Sequence, residues 1–347
     1  MTPDCTIIVR KAAELLAVIP YVLGFHPSDS LVVVGLAAGR LVTFGLRLDL
    51  DPPIEPPDAA RFADVVSKQP AGAVTVVGYG PPGRVTPAIM RVMDALRGRG
   101  IPVLEALRVT EGRWWSYLCE SSQCCPDDGT PCPPPGNALA AREVFRGRVA
   151  LPDRQALVAQ VAGVTGAARE RMTAATERAR QRLTDRYGDD VRAGADGRLV
   201  RRAGRIAVRG AEQRHRAGRS LTDDEVAWLG VLLVDRAVSD YALDRSTGDA
   251  WRIGLWTDVL RRVDTAYVPA PACLLALAAW QDGQGAVARV AVERALAEAR
   301  EHRMAGLLDR LLLSGVGPEA VESLAPPGPD SVTADVDGDG SESDALR

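Results

Sequence analysis

The sequence predicts an α/β N-terminal domain with a mixed sheet, followed by an all-α C-terminal domain that contains one tetratricopeptide-like helix pair. Three observations carry this. Short β-branched runs alternate with amphipathic stretches up to about residue 150. Some of those runs are joined by tight hairpin turns, which a purely parallel sheet does not allow. Beyond Asn137 the period changes to that of helices and strand-like runs cease. The expected boundaries are 1–150 for the α/β domain, 151–324 for the helical domain and 325–347 for an acidic tail.

The organising stretch is Glu14 to Leu36. Ala13, Leu15, Leu16, Val18 and Ile19 make a mostly buried helix. Pro20 has no backbone N–H, so the helix is expected to end near Ile19. Gly24, Pro27, Ser28 and Asp29 are loop formers, and they place His26 in a tight turn. Leu31 to Val34 then reads as a strand buried on both faces.

Cys5 to Val9 reads as a short strand before this stretch, and Arg40 to Leu48 as the second strand of a hairpin turning at Ala37-Ala38-Gly39. Asp49 to Pro57 is a proline-rich loop. A helix follows over Asp58 to Lys68, with Asp58 as its cap. Gly72 to Tyr79 is a buried strand, broken by Gly80-Pro81-Pro82-Gly83. Thr86 to Gly98 is a helix with Pro87 in its first position. Ile101 to Thr110 is a strand, and Glu111-Gly112 turns it into Arg113 to Cys119. Ser121 to Asn137 is irregular. Helices are expected at 138–147, 153–161, 167–187, 223–241, 248–263, 270–281, 285–300 and 303–313. Between them, Gly188 to Arg219 carries nine arginines diluted by glycine and reads as a solvated, partly mobile segment.

The chain has 347 residues, 46% apolar and 25% charged, with a net charge of −3. That balance is ordinary for a globular protein and exerts no global pull on nucleic acid or anionic membrane. No run approaches the ~20 apolar residues of a membrane span, and the first residues lack the basic and apolar regions of a secretory signal. The expectation is a cytoplasmic protein with reduced cysteines.

His26 beside Asp29 is a candidate acid–base pair. The competing reading is structural: Ser28 and Asp29 cap the turn, and His26 packs against the sheet edge. Cys119, Cys124, Cys125 and Cys132 place four thiols within fourteen residues, enough for a tetrahedral zinc site. The C-x2-C knuckle is missing and no histidine is near, so a redox pair and a packed loop compete with zinc. The segment 78–83 stands where a phosphate loop would, but its prolines remove the amides that hold phosphate. The arginine segment has no aromatic residue between Tyr187 and Trp228, so nucleic-acid binding is not expected of it. Asp335, Asp337, Asp339 and Gly340 imitate a calcium loop, but Leu346 stands where the bidentate glutamate belongs. Trp280, Gly283, Ala288, Ala295 and Leu296 match one tetratricopeptide helix pair, where an array needs about three repeats. No cofactor is assignable.

The chain resembles the actinobacterial domain-of-unknown-function family 4192. The resemblance rests on Leu15 to Leu36, on Gly112 to Pro131, and on the C-terminal stretches Leu221 to Leu233 and Ala279 to Leu296. It implies that Phe25-His26-Pro27 and Cys119, Cys124 and Cys125 belong to a shared pattern that does not clearly include Cys132. It implies no mechanism. Two functions follow as expectations: a binding or regulatory protein that meets a protein partner through its helical domain, or a metal-assisted enzyme between the His26 loop and the cysteine loop. The second requires those loops to meet.

Overall fold

In a computed structural model, residues 7–121, 123, 125–134, 141, 142, 144, 149–192 and 197–318 are described. A six-stranded mixed sheet in the N-terminal region is followed by a mostly helical region. Helix α1 (Ala12–Leu23) leads into the hairpin of β1 (Ser30–Ala37) and β2 (Leu41–Asp49). Then come α2 (Pro56–Ser67), β3 (Ala73–Tyr79), α3 (Pro82–Arg97), β4 (Val103–Thr110), β5 (Arg113–Ser116) and β6 (Thr130–Pro131). The strand order is β2-β1-β3-β4-β5-β6. Among the described strands, β3 and β4 pair in parallel and the other neighbours are antiparallel.

Strand β1 is the interior strand that the sequence predicts. Leu31, Val32, Val33 and Val34 are all fully buried. One sheet face, through Leu31, Val33, Val76 and Ala106, packs on Phe62 of α2 and on Ile89 and Val92 of α3. Helix α1 lies over β2 on the other side, so close that a Cβ on Gly45 would stand 2.6 Å from Val22. At the bulge in β2, where Thr43 is the extra residue, the Phe44 ring occupies the space above Gly35 of β1.

Several boundaries differ from expectation. Helix α1 runs through Pro20 to Leu23 and ends on Gly24, at φ 80°. Burial of Ile19, Pro20 and Leu23 offsets the lost hydrogen bond. In α2 the cap is Glu55; Asp58 instead closes a capping box onto the Glu55 amide at 3.0 Å. Helix α3 starts a turn early because Pro82 takes the first position, leaving Pro87 inside and the Thr86 hydroxyl 2.6 Å from that of Tyr117. Residues 7–9 touch β2 through one bridge, Ile8 to Leu41; Cys5 and Thr6 lie outside the described residues. Glu111 and Gly112 both take positive φ, which suits the two-residue β4–β5 hairpin.

The helical region comprises α4 (Arg154–Val161), α5 (Gly166–Arg192), α6 (Arg198–Arg216), α7 (Asp223–Leu232), α8 (Arg236–Asp244), α9 (Ala250–Arg262), α10 (Pro269–Gln281), α11 (Gly285–Glu298) and α12 (Arg303–Leu313). Two corrections stand out. The single helix expected over 223–241 is two, because Asp235 caps a new start by accepting from the amides of Ala237 and Val238. Most of the arginine-rich segment expected to be mobile is the helix α6, packed against α7, α8 and α9. Its Gly204 allows Val238 to approach within 2.4 Å of where a Cβ would stand. The helix expected at 138–147 and the acidic tail lie outside or largely outside the described residues.

Replacing Gly35 with valine forces new carbon atoms into the Phe44 ring, 2.1 Å from the added Cβ. A loss of about 1–3 kcal/mol is expected from overpacking, read as a lower urea midpoint. An unchanged midpoint would contradict this packing.

Candidate functional site: a cationic groove in the helical region

The residues singled out in the sequence do not form one site. His26 is exposed, and its amide donates to the Leu151 carbonyl at 2.9 Å. The Leu151 amide donates in turn to Gly24, and Phe25 bridges Leu151 in parallel. The loop is therefore a seam that pins the chain beyond residue 149 to the sheet region. The Asp29 carboxylate accepts from Arg84 at 2.9 Å, beside the start of α3. Both side chains are largely exposed, so this pair contributes at most about 1 kcal/mol.

The cysteines sit at two ends of β5. The Cys119 amide donates to the Ser116 hydroxyl, which in turn donates to Glu105, past the C-terminal end of β5. The Cys132 amide donates to Gly112, before its N-terminal end. Cys125 lies in the intervening loop, its amide bonded to Ser121, and Cys124 lies outside the described residues. Strands β3 and β4 separate β1, with its His26 loop, from β5. No group of three His, Cys, Asp or Glu able to hold a metal occurs among the described residues.

Cys132 instead neighbours a buried polar row that the sequence did not reveal. Ser30 pairs with Tyr79, Tyr79 with Val109, and Val109 with Trp114, so all four share a sheet face. The Ser30 hydroxyl, Tyr79 hydroxyl and Trp114 indole N–H are buried without a hydrogen-bond partner among the described residues. Burial pushes the Tyr79 phenol far above its ordinary range, with the Cys132 charge adding to the rise. Burial likewise pushes the Cys132 thiol up. A thiol held protonated is a poor nucleophile and a poor metal ligand.

A better-formed concavity lies between α5, α6 and α7. The groove has a volume of about 440 Å³. Its floor is apolar and small, with Ala203, Ile206, Ala207, Gly210 and Leu221; Arg182, Arg186 and Arg214 stand at its rim. Tyr187 and Trp228 close one side, their rings stacked at 6.3 Å and 25°. The Arg182 guanidinium lies 4.3 Å from the Trp228 ring centroid. These are the two aromatic residues that bracket the aromatic-free arginine segment, and the fold brings them together beside it.

The rotation of α6 about its axis creates this surface. Its buried face carries Val200, Gly204, Val208 and Ala211. Its single acidic residue, Glu212, is also buried and holds Arg245 at 2.5 Å and Arg252 at 3.6 Å. That hydrogen bond raises the pKa of Arg245. The arginines are left pointing outward with Ile206, which is 55% exposed. The carboxylate that lines the groove, Glu225, is engaged by Arg214 at 2.8 Å and by the Thr222 amide and hydroxyl in a capping box. The arrangement can bind, through burial of apolar surface and cationic contacts at the rim.

The fold and the groove thus define a class: a mixed-sheet module continued by a helical array that carries a cationic groove. Comparison with known families places it. The profile of the family described as Domain of unknown function (DUF4192) matches residues 13–319, and the chain belongs to that family. No curated protein and no solved structure matches it. No helix among the described residues is long and apolar enough to cross a membrane.

The raised pKa of Cys132 gives a measurable expectation. Iodoacetamide should alkylate it in the native protein more slowly than it alkylates free cysteine at about pH 8, and the rate should climb only at higher pH. Peptide-level mass spectrometry reads this; a rate equal to or above that of free cysteine would contradict it.

Proposed function

We propose that this chain is a cytoplasmic partner-binding protein that works without catalysis, and that its helical region carries the recognition surface. The groove between α5, α6 and α7 supports this reading: an apolar floor, exposed Ile206 and a rim of arginines on an otherwise well-packed helix. Isolated exposed apolar residues are common, but a concave patch rimmed by charge marks an interaction site. The hairpin of α10 and α11 belongs to the same reading as a tetratricopeptide-like element. Trp280, Ala288 and Ala295 are buried at its crossing, and Gly283 takes positive φ at its turn. A metal-assisted enzyme at the His26 and Cys119–Cys125 loops has less behind it. The two loops leave different strands, with β3 and β4 between them.

The test is proximity labelling or co-purification from cells with three variants. Ile206→Asp is expected to lose partners that the wild type retains, since it puts a charge on the groove floor without touching the core. His26→Ala and Cys132→Ser are expected to keep them. Loss with either of the latter and retention with Ile206→Asp would move the function to the sheet edge.

A further inference from the structure

We infer that the groove receives one amphipathic helix of a partner chain, with an aliphatic stripe seated on α6 and carboxylates along its flanks. This rests on the partner-binding reading and names the partner's chemistry.

The first argument is spacing. Helix α6 carries two apolar stripes. One is buried, as described. The other, Leu199, Ala203, Ile206 and Gly210, faces outward at intervals of four, three and four residues. That is the spacing of a helix–helix seam. Leu199 and Ile206 are 52% and 55% exposed. The other two stripe positions, Ala203 and Gly210, are small. A Cβ placed on Gly210 would meet no atom within 4 Å, so the face stands open and a partner backbone can come close. The stripe covers about three helical turns, which suits a partner helix of roughly 12–18 residues.

The second argument is charge. Helix α6 carries seven arginines and one acidic residue, and that residue is turned inward. Among the described residues, Arg202, Arg205, Arg209 and Arg216 have no carboxylate within salt-bridge distance, and the same holds for Arg182 and Arg186 on α5. On α6, Arg202 and Arg209 border the stripe, Arg209 also donating to the Tyr241 hydroxyl at 3.3 Å, and Arg182 and Arg186 line the groove from α5. Acidic flanks on the incoming helix complement them. Each such exposed pair is weak, so the charges select and orient the partner while burial of Leu199 and Ile206 supplies most of the affinity.

The same observations disfavour two other occupants. A nucleic-acid strand held by base stacking needs open aromatic faces, whereas Trp228 is already packed against Arg182 and Tyr187. A second copy of this chain would set one arginine-rich α6 against another, and like charges repel.

Fluorescence anisotropy on the full-length protein tests this with defined probes. One is a labelled synthetic peptide of roughly 18 residues with a leucine stripe at helical spacing and glutamate flanks. The second has lysine in place of each glutamate, and the third is a labelled oligothymidylate. The glutamate peptide is expected to bind at least about tenfold more tightly than the lysine peptide. Ile206→Asp and the double variant Arg182→Glu/Arg186→Glu are each expected to weaken it by about tenfold or more. Circular dichroism shows whether these surface variants remain folded, and Arg186→Ala serves as a milder substitute, expected to weaken binding severalfold.

Equal binding of the two peptides would overturn the inference. So would peptide binding that survives Ile206→Asp, or oligothymidylate binding tighter than the glutamate peptide. A dimer in sedimentation that Ile206→Asp dissociates would assign the face to self-association instead. If the peptides fail while Ile206→Asp still loses partners in cells, the partner's chemistry is wrong and the binding reading stands; if both fail, the groove is not the recognition surface.

Discussion

The N-terminal architecture depends on one constraint: β1 has no face left for water. Leu31 to Val34 are fully buried, so the sheet must be covered on both sides. Helices α2 and α3 cover one side and α1 lies over β2 on the other. Complete burial of one aliphatic side chain contributes about 1.5–3 kcal/mol. Four in a row make this strand the element around which the sheet assembles. The hairpin to β2 and the antiparallel pairing with β3 then follow from a strand that must have neighbours on both edges. The loop before β1 is constrained by the same geometry. Its backbone hydrogen bonds, from the His26 amide to the Leu151 carbonyl and from the Leu151 amide to the Gly24 carbonyl, tie the chain at Leu151 to the sheet region.

The helical region has its own constraint, the carboxylate of Glu212. It is the acidic residue of an arginine-rich helix, and it is buried against Arg245 and Arg252. Removing one partner of a buried ion pair commonly costs about 3–5 kcal/mol; Arg245 is over a third exposed, which lowers the figure here. With Val200, Gly204, Val208 and Ala211 it fixes which side of α6 faces inward. The outward side is then both cationic and apolar. Local helix stability does not call for that combination, and the proposed docking role does. The groove is therefore a consequence of how α6 is anchored.

Much of the sheet was legible in the sequence, because β-branched runs bounded by glycine and proline are local signals. Val74 to Val77 and Leu31 to Val34 fall in strands for that reason. Family membership was legible too, from stretches that span most of the chain. Boundaries were less so where packing outweighs a local rule. Pro20 stays helical because the helix around it is buried, and Glu55 caps α2 although glutamate is a poor choice for that place. The groove was hidden for a different reason. Glycines in the arginine segment read as breakers, while Gly204 in fact permits the close approach of Val238. The absence of aromatics between Tyr187 and Trp228 reads as the absence of a platform, yet folding stacks those two rings beside the segment. A linear scan records neighbours in sequence, and these residues become neighbours only when α5, α6 and α7 pack.

The central claim is that recognition belongs to the outer face of α6 and not to the histidine and cysteine loops at the sheet. Hydrogen-exchange mass spectrometry with and without a saturating bound partner addresses it directly. Slower exchange is predicted in peptides covering residues 182–187 and 199–214, with residues 25–29 and 119–132 unchanged. Protection confined to the two sheet loops, with α6 unaffected, would contradict the account.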